Sequence, residues 1–115
     1  GDISHGLCDA KKNVTYSNSA LFEAGIPMMN EFHFKNTDAV FGSTFGFSPA
    51  DCSRGIVDLR ALKALCDRHA ADWPVNDVVG YLEIMGPKIG RDYSDPQLAP
   101  ELRASLKAIK QTFAD

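Results

Sequence analysis

Hydrophobic and polar positions along this chain follow two alternating rhythms. Short apolar runs with strand character occur at Ile3, from Met28 to Phe34 and from Val78 to Met85, the last nearly continuous in the manner of strands buried on both faces. Between and after these runs, apolar residues recur at helical spacing. Ala20-Leu-Phe-Glu-Ala24 follows the capping residues Ser17, Asn18 and Ser19 and precedes Gly25, which predicts a short helix with its stop signal. Leu59, Leu62, Leu65, Cys66 and His69 share one face behind Asp58, which predicts a helix capped by that aspartate and ending near His69 to Ala71. Leu102, Leu106, Ile109 and Phe113 repeat at intervals of four and three behind Pro100, with Lys and Arg on the other side. Gly1 to Ser4 read as the last residues of a strand. The expected order is therefore strand, helix, strand, helix, strand, helix, with connections long enough for right-handed parallel crossovers. Three strands leave two open edges, so the chain is expected to begin mid-fold and to need further strands.

Two connections stand out. Gly42-Ser-Thr-Phe-Gly46-Phe-Ser-Pro49 is rich in glycine, hydroxyl and aromatic residues, as expected of a loop that covers a ligand. Asp72-Trp-Pro-Val-Asn76 links the second helix to the third strand, and Trp73 is expected to pack there.

Composition narrows the class. A chain of 115 residues with 44% hydrophobic content builds one modest core, so residues 1–115 are read as a single domain portion. The net charge of −3 and the scattered Lys and Arg lack the basic footprint of a nucleic-acid binder. Cys8, Cys52 and Cys66 are odd in number and form no C-x-x-C pair, which fits reduced, buried thiols of a cytoplasmic enzyme better than disulfides or structural zinc. No apolar run approaches the ~20 residues of a membrane span, and no signal peptide is evident, so no membrane partner is expected.

The candidate chemistry lies at the strand ends. Asp2-Ile-Ser-His5, His33-Phe-Lys35-Asn36 and Tyr81-Leu-Glu83 each offer a carboxylate or imidazole where parallel α/β folds place active-site groups. Glu83 interrupts an apolar run, and a carboxylate there needs a pairing partner, hydrogen bonds or a cation. Asp2, His33 and Glu83 from three successive strand ends supply hard oxygen and imidazole ligands suited to Mn²⁺, Mg²⁺, Co²⁺ or Zn²⁺. Lys88 and Arg91, in the loop after the third strand, are positioned to meet an anionic group. His69 reads instead as a helix-end residue favoured by the helix dipole.

These segments resemble the sugar isomerase/epimerase superfamily with the xylose-isomerase-like TIM barrel, in particular ketose 3-epimerases of the tagatose/allulose type. Asp2-Ile-Ser-His5 is similar to the sixth-strand Asp-x-x-His, which implies a metal ligand at Asp2 and a substrate contact at His5. Glu31-Phe-His33-Phe-Lys35-Asn36 resembles the seventh-strand His-x-Lys-Asp, with Asn36 in place of the final Asp and Ala39 and Val40 where several ketose epimerases carry an arginine. Gly55-Ile-Val-Asp58-Leu59 resembles the segment that opens the next helix, and Gly80-Tyr-Leu-Glu83 the eighth-strand glutamate. The resemblance implies an α/β fold comprising the C-terminal part, about three βα units, of a (β/α)8 barrel with outer helices. It further implies a divalent-metal-dependent isomerase or epimerase acting on a ketose or ketose phosphate through an enediolate. Glu83 would be base and ligand, His5, Lys35 and Arg91 would hold substrate, and a second glutamate would lie in the missing part. The small sugar is the expected partner, and a homo-oligomer is compatible with the fold. Two alternatives are a same-fold lyase or hydrolase, inosose-dehydratase-like or endonuclease-like, and a non-catalytic α/β fragment.

Overall fold

The computed structural model describes residues 1–86 and 90–114, so Lys88 lies outside the described residues. The chain is a mixed α/β body in which helices cover one side of a small parallel sheet. Strand β3 (Glu31–Phe34) pairs in parallel with β4 (Val79–Leu82), with His33 opposite Tyr81 and Phe34 opposite Leu82. On the other side of β3, Asp2 forms a parallel bridge to His33. The Gly1 carbonyl accepts from the His33 amide at 2.8 Å, and the terminal amine donates to the Glu31 carbonyl at 2.8 Å. The N-terminal residues thus act as the end of a third parallel strand. The order Asp2, β3, β4 has the sense expected of consecutive βαβ units.

Helix α1 (Asn18–Gly25) starts at Ser17, whose hydroxyl accepts from the Ala20 amide at 3.2 Å. Gly25 does not stop the chain in a left-handed turn. Its φ is −84°, and the helix tightens into a 3₁₀ turn, Ile26–Met28, that accommodates Pro27 at its start. Helix α3 (Leu59–Arg68) starts at Asp58, whose carboxylate accepts from the Arg60 and Ala61 amides, and His69 is its C-cap. Helix α4 (Leu98–Phe113) holds Pro100 in its first turn, where a missing amide hydrogen costs nothing.

One core joins these pieces. Phe22 of α1, Phe32 and Phe34 of β3, Leu62 and Leu65 of α3 and Ile109 of α4 are all buried in it. Phe32 meets Phe22 edge-on at 5.0 Å, and Phe34 meets Phe113 at 5.1 Å. Trp73 packs against Phe22 and Phe32, as expected of that connection. Gly80 lies opposite Phe32 in the ladder, and a Cβ there would come within 2.2 Å of the Phe34 ring, so the aromatic cluster requires glycine at this position.

Several expectations are corrected. The polar stretch after Lys11 includes a strand: β1 (Leu7–Cys8) and β2 (Val14–Tyr16) form an antiparallel hairpin. Asp9 organises its turn by accepting from the Lys11 and Asn13 amides, the turn chemistry aspartate favours. A short helix α2 (Pro49–Arg54) follows the glycine-rich segment, capped by Ser48 with Pro49 at its start. The second half of the glycine-rich segment is packed into the body, where an open loop was expected. Phe45 bridges Asn36, Phe47 is fully buried with its amide donating to Ser105 Oγ at 2.8 Å, and the Gly46 amide donates to buried Asp51. The strand expected to be buried on both faces is fully buried on neither: Val79, Gly80 and Tyr81 are exposed, and Leu82 packs half-buried against the core. Val79 is 47% and Tyr81 51% exposed, because no described element packs over their side of the sheet. The cysteines are unpaired, but Cys52 is exposed, whereas Cys8 and Cys66 are part-buried. Burial and the neighbouring Asp67 push the Cys66 thiol up to about 11, so it stays protonated and unreactive.

Candidate metal centre

Strand alternation builds the site. Phe32 and Phe34 enter the core, so His33 between them must face the opposite side. The bridge and the ladder register set Asp2 and Tyr81 beside His33 on that face. Glu83 follows two residues after Tyr81, just beyond the end of β4, and its amide donates to the Phe34 carbonyl at 3.0 Å, which carries the parallel pairing past the strand. Glu83 therefore sits at the mouth of the sheet rather than in the middle of a buried strand.

The ligand atoms of Asp2, His33 and Glu83 all lie within 4.8 Å of one another. His33 Nδ1 and Glu83 Oε2 are 2.8 Å apart, a hydrogen bond between two groups from neighbouring strands. Atoms bound at about 2.0–2.2 Å to one ion are separated by up to about twice that distance, so the three groups need only small rotations to share a cation. The donors are two carboxylates and an imidazole, and their exposure grades from outside to inside: the side chains of His33, Glu83 and Asp2 are 48%, 38% and 13% exposed. The donor set and spacing fit a divalent ion with open coordination positions toward solvent.

His5 stands beside this cluster, with Nε2 3.2 Å from Asp2 Oδ2 and the ring exposed. Lys35 is the second residue after His33, so alternation directs it to the same side, and it makes no ion pair among the described residues. Arg91 is placed differently. Its guanidinium pairs with Asp95 at 2.9 Å and with Glu101, and it lines a cleft of about 570 Å³ with Arg54, Asp51 and Gly46 whose walls include none of Asp2, His33 or Glu83. The charge expected to meet an anion is already neutralised by two carboxylates.

Asn36, which follows the strand end, is a structural group. It is fully buried, and its Oδ1 accepts from the Thr37 and Val57 amides at 2.9 Å each, tying the end of β3 to the approach of α3. A Cβ at Gly55 would come within 2.2 Å of this amide, so glycine is required there for the close approach.

Two residues of the site escaped the sequence reading. Tyr81 stands edge-on to the His33 ring, centroids 6.3 Å apart, on the exposed face. Ser4, 1% exposed, donates to Asp2 Oδ1 from both its amide and its hydroxyl. The spacing Asp-x-Ser is a signal for this second contact, since an aspartate commonly accepts from the amide two residues on. Comparison with protein-family models, with curated proteins and with solved structures returned no match.

Proposed function

We propose that this chain is the C-terminal part of a divalent-metal-dependent sugar isomerase or epimerase with a xylose-isomerase-like barrel. The observation that carries this reading is the convergence of Asp2, His33 and Glu83 from three adjacent parallel strand ends. The sequence resemblance supports the same three groups at the same ends. A cation held there would polarise a ketose carbonyl and its neighbouring hydroxyl, making the carbon-bound proton beside the carbonyl easier to remove.

The chain's own residues then divide the work. Glu83 faces His33 through Oε2, while no hydrogen bond among the described residues engages Oε1, leaving one oxygen for proton transfer at the sugar carbon. Asp2 and His33, with Glu83, would hold the cation. His5, exposed beside Asp2, and Lys35, without a competing carboxylate among the described residues, are placed to hold substrate hydroxyls or a terminal phosphate. Tyr81 offers an aromatic wall beside His33 against which a sugar ring or chain carbon packs. Arg91 is omitted from this set.

Hydrogen exchange is the sharpest test, because it needs only one base whereas full epimerisation needs two. The protein would be loaded with Mn²⁺, incubated with ketoses and ketose phosphates in D₂O, and the sugars weighed by mass spectrometry. Metal-dependent gain of one deuterium, abolished in Glu83→Gln, is the expected result. Loss of water from the sugar would favour the lyase alternative. Failure to bind any divalent ion would remove the reading's foundation.

A further inference from the structure

His69, the C-cap of α3, stands between carboxylates from two other segments of the chain. Its Nδ1 lies 2.6 Å from Asp72 Oδ2, in the connection to β4, and its Nε2 lies 2.6 Å from Glu23 Oε1, on α1. An ionised carboxylate only accepts hydrogen bonds and a neutral imidazole has one N–H, so both contacts are made together only by the imidazolium. Among the described residues, the one other charged group in ion-pair range of these three is Arg68, 3.7 Å from Glu23 Oε1. Lys63 and Asp67, also on α3, pair with each other at 2.6 Å. Glu23 and Asp72 are the chain neighbours of Phe22 and Trp73, whose rings meet with centroids 6.3 Å apart. The polar bridge therefore fastens α1 to the connection right beside their aromatic contact.

We propose that His69 is a pH-operated clasp: as an imidazolium it joins α1 to the connection before β4, and on losing its proton it releases Glu23 to Arg68 and loosens Trp73 from Phe22. The proposal is independent of the metal-centre reading. Deprotonation leaves one ring N–H for two carboxylates, and the bare nitrogen then faces an oxygen lone pair at hydrogen-bond distance, which is repulsive. The two carboxylates are not equally free to leave. Asp72 is three residues from His69, and its amide donates to the His69 carbonyl at 2.9 Å, so the turn keeps that pair together. Glu23 belongs to another element and already has Arg68 as a second partner. Glu23 is therefore the group that departs. Of the aromatic pair beside it, Phe22 is buried, whereas Trp73 is part-buried and its Nε1 reaches the Cys66 carbonyl only at 3.5 Å, a weak bond. Trp73 is thus the ring that moves. Because both carboxylates raise the His69 pKa, the clasp is closed below the ordinary histidine value of about 6.5 and opens as pH rises through the folded one.

Trp73 is the chain's single tryptophan, so its fluorescence reports on the connection directly. The test is a titration of the unaltered chain between about pH 5.5 and 9, which spans histidine ionisation and stays below that of tyrosine. The histidine rings are followed by NMR and Trp73 by its emission. The expected result is a red shift of the emission with the same midpoint as the His69 ring, absent from His69→Gln. Glu23→Gln removes one of the two anions and should lower the His69 midpoint by about one pH unit. Arg68→Met removes both a nearby cation and the alternative partner of Glu23, and should raise it. Emission that stays constant while His69 titrates overturns the proposal, as does a transition that survives in His69→Gln. A His69 midpoint unmoved by Arg68→Met overturns the transfer of Glu23. Should His69→Gln not fold, the unaltered protein still decides, with the His69 ring identified by its shift in Glu23→Gln: midpoints that differ between ring and tryptophan sink the clasp.

Discussion

The two faces of the β3–β4 sheet are built from the same strands and have opposite characters. One face presents Phe32 and Phe34, buried, with ring centroids 4.7 Å apart, against α1, α3 and α4. The other presents Glu31, His33, Val79 and Tyr81, all exposed, with Asp2 and Glu83 at its mouth. Burial of the aromatic face holds the backbone, and that frees the alternate positions to carry groups that contribute little to stability. The body measures 42 × 39 × 23 Å, flat because the layers lie on one side only.

The largest expected effect tests the core face. Phe32→Ala should lower unfolding free energy by about 3–5 kcal/mol, measured by urea denaturation, since it empties the centre of the aromatic cluster. His33→Ala, one residue away, is the mirror experiment. Its ring is half-exposed, so stability should change by no more than about 0.5 kcal/mol, while Mn²⁺ affinity measured by calorimetry falls by on the order of 100-fold or more. Equal stability losses in the two variants would erase the distinction between the faces.

A smaller effect probes what pins the connection leaving β3. Ser105→Ala strands the buried Phe47 amide without its acceptor and should cost about 1–3 kcal/mol in denaturant unfolding, with Mn²⁺ affinity unchanged. The smallest effect lies at the far end of α3. His69 Nδ1 meets Asp72 and Nε2 meets Glu23, each at 2.6 Å, and Arg68 approaches the same Glu23 at 3.7 Å. Hydrogen bonding to Asp72, then to Glu23, raises the His69 pKa. A raised folded-state value means this stabilisation is fully present below the ordinary value of about 6.5 and fades as pH rises through the folded one. The thermal midpoint of His69→Gln should therefore fall furthest below that of the unaltered protein in acid and converge with it in alkali; a gap that widens in alkali would contradict the assignment.

Local signals were well preserved in the sequence. Ser17 and Asp58 cap the helices they precede, the apolar stripe of α3 faces the core, and Trp73 seals the connection, because each depends on neighbours a few residues away; of the α4 stripe, Ile109 is buried and Phe113 packs against the core, while Leu106 is exposed. Signals that compete with stronger ones were lost. The hairpin is polar outside its short paired segments, α2 is too short to show a period, and although α1 ends at Gly25 as expected, the 3₁₀ turn Ile26–Met28 that follows it was not foreseen. At the candidate site, the three donors and His5 were legible as strand-end residues. The engagement of Arg91 by Asp95 and Glu101 was not, since Glu101 lies on another element.

The sequence by itself determined the alternation of strand and helix, the helix caps and the residue types at the strand ends, all consequences of short-range backbone preference and apolar periodicity. Only the tertiary structure decided that Asp2, His33 and Glu83 converge, that Ser4 occupies one oxygen of Asp2, and that one face of β4 is exposed. Those facts depend on strand register and on what packs against each face, and both are set by contacts between residues distant in sequence.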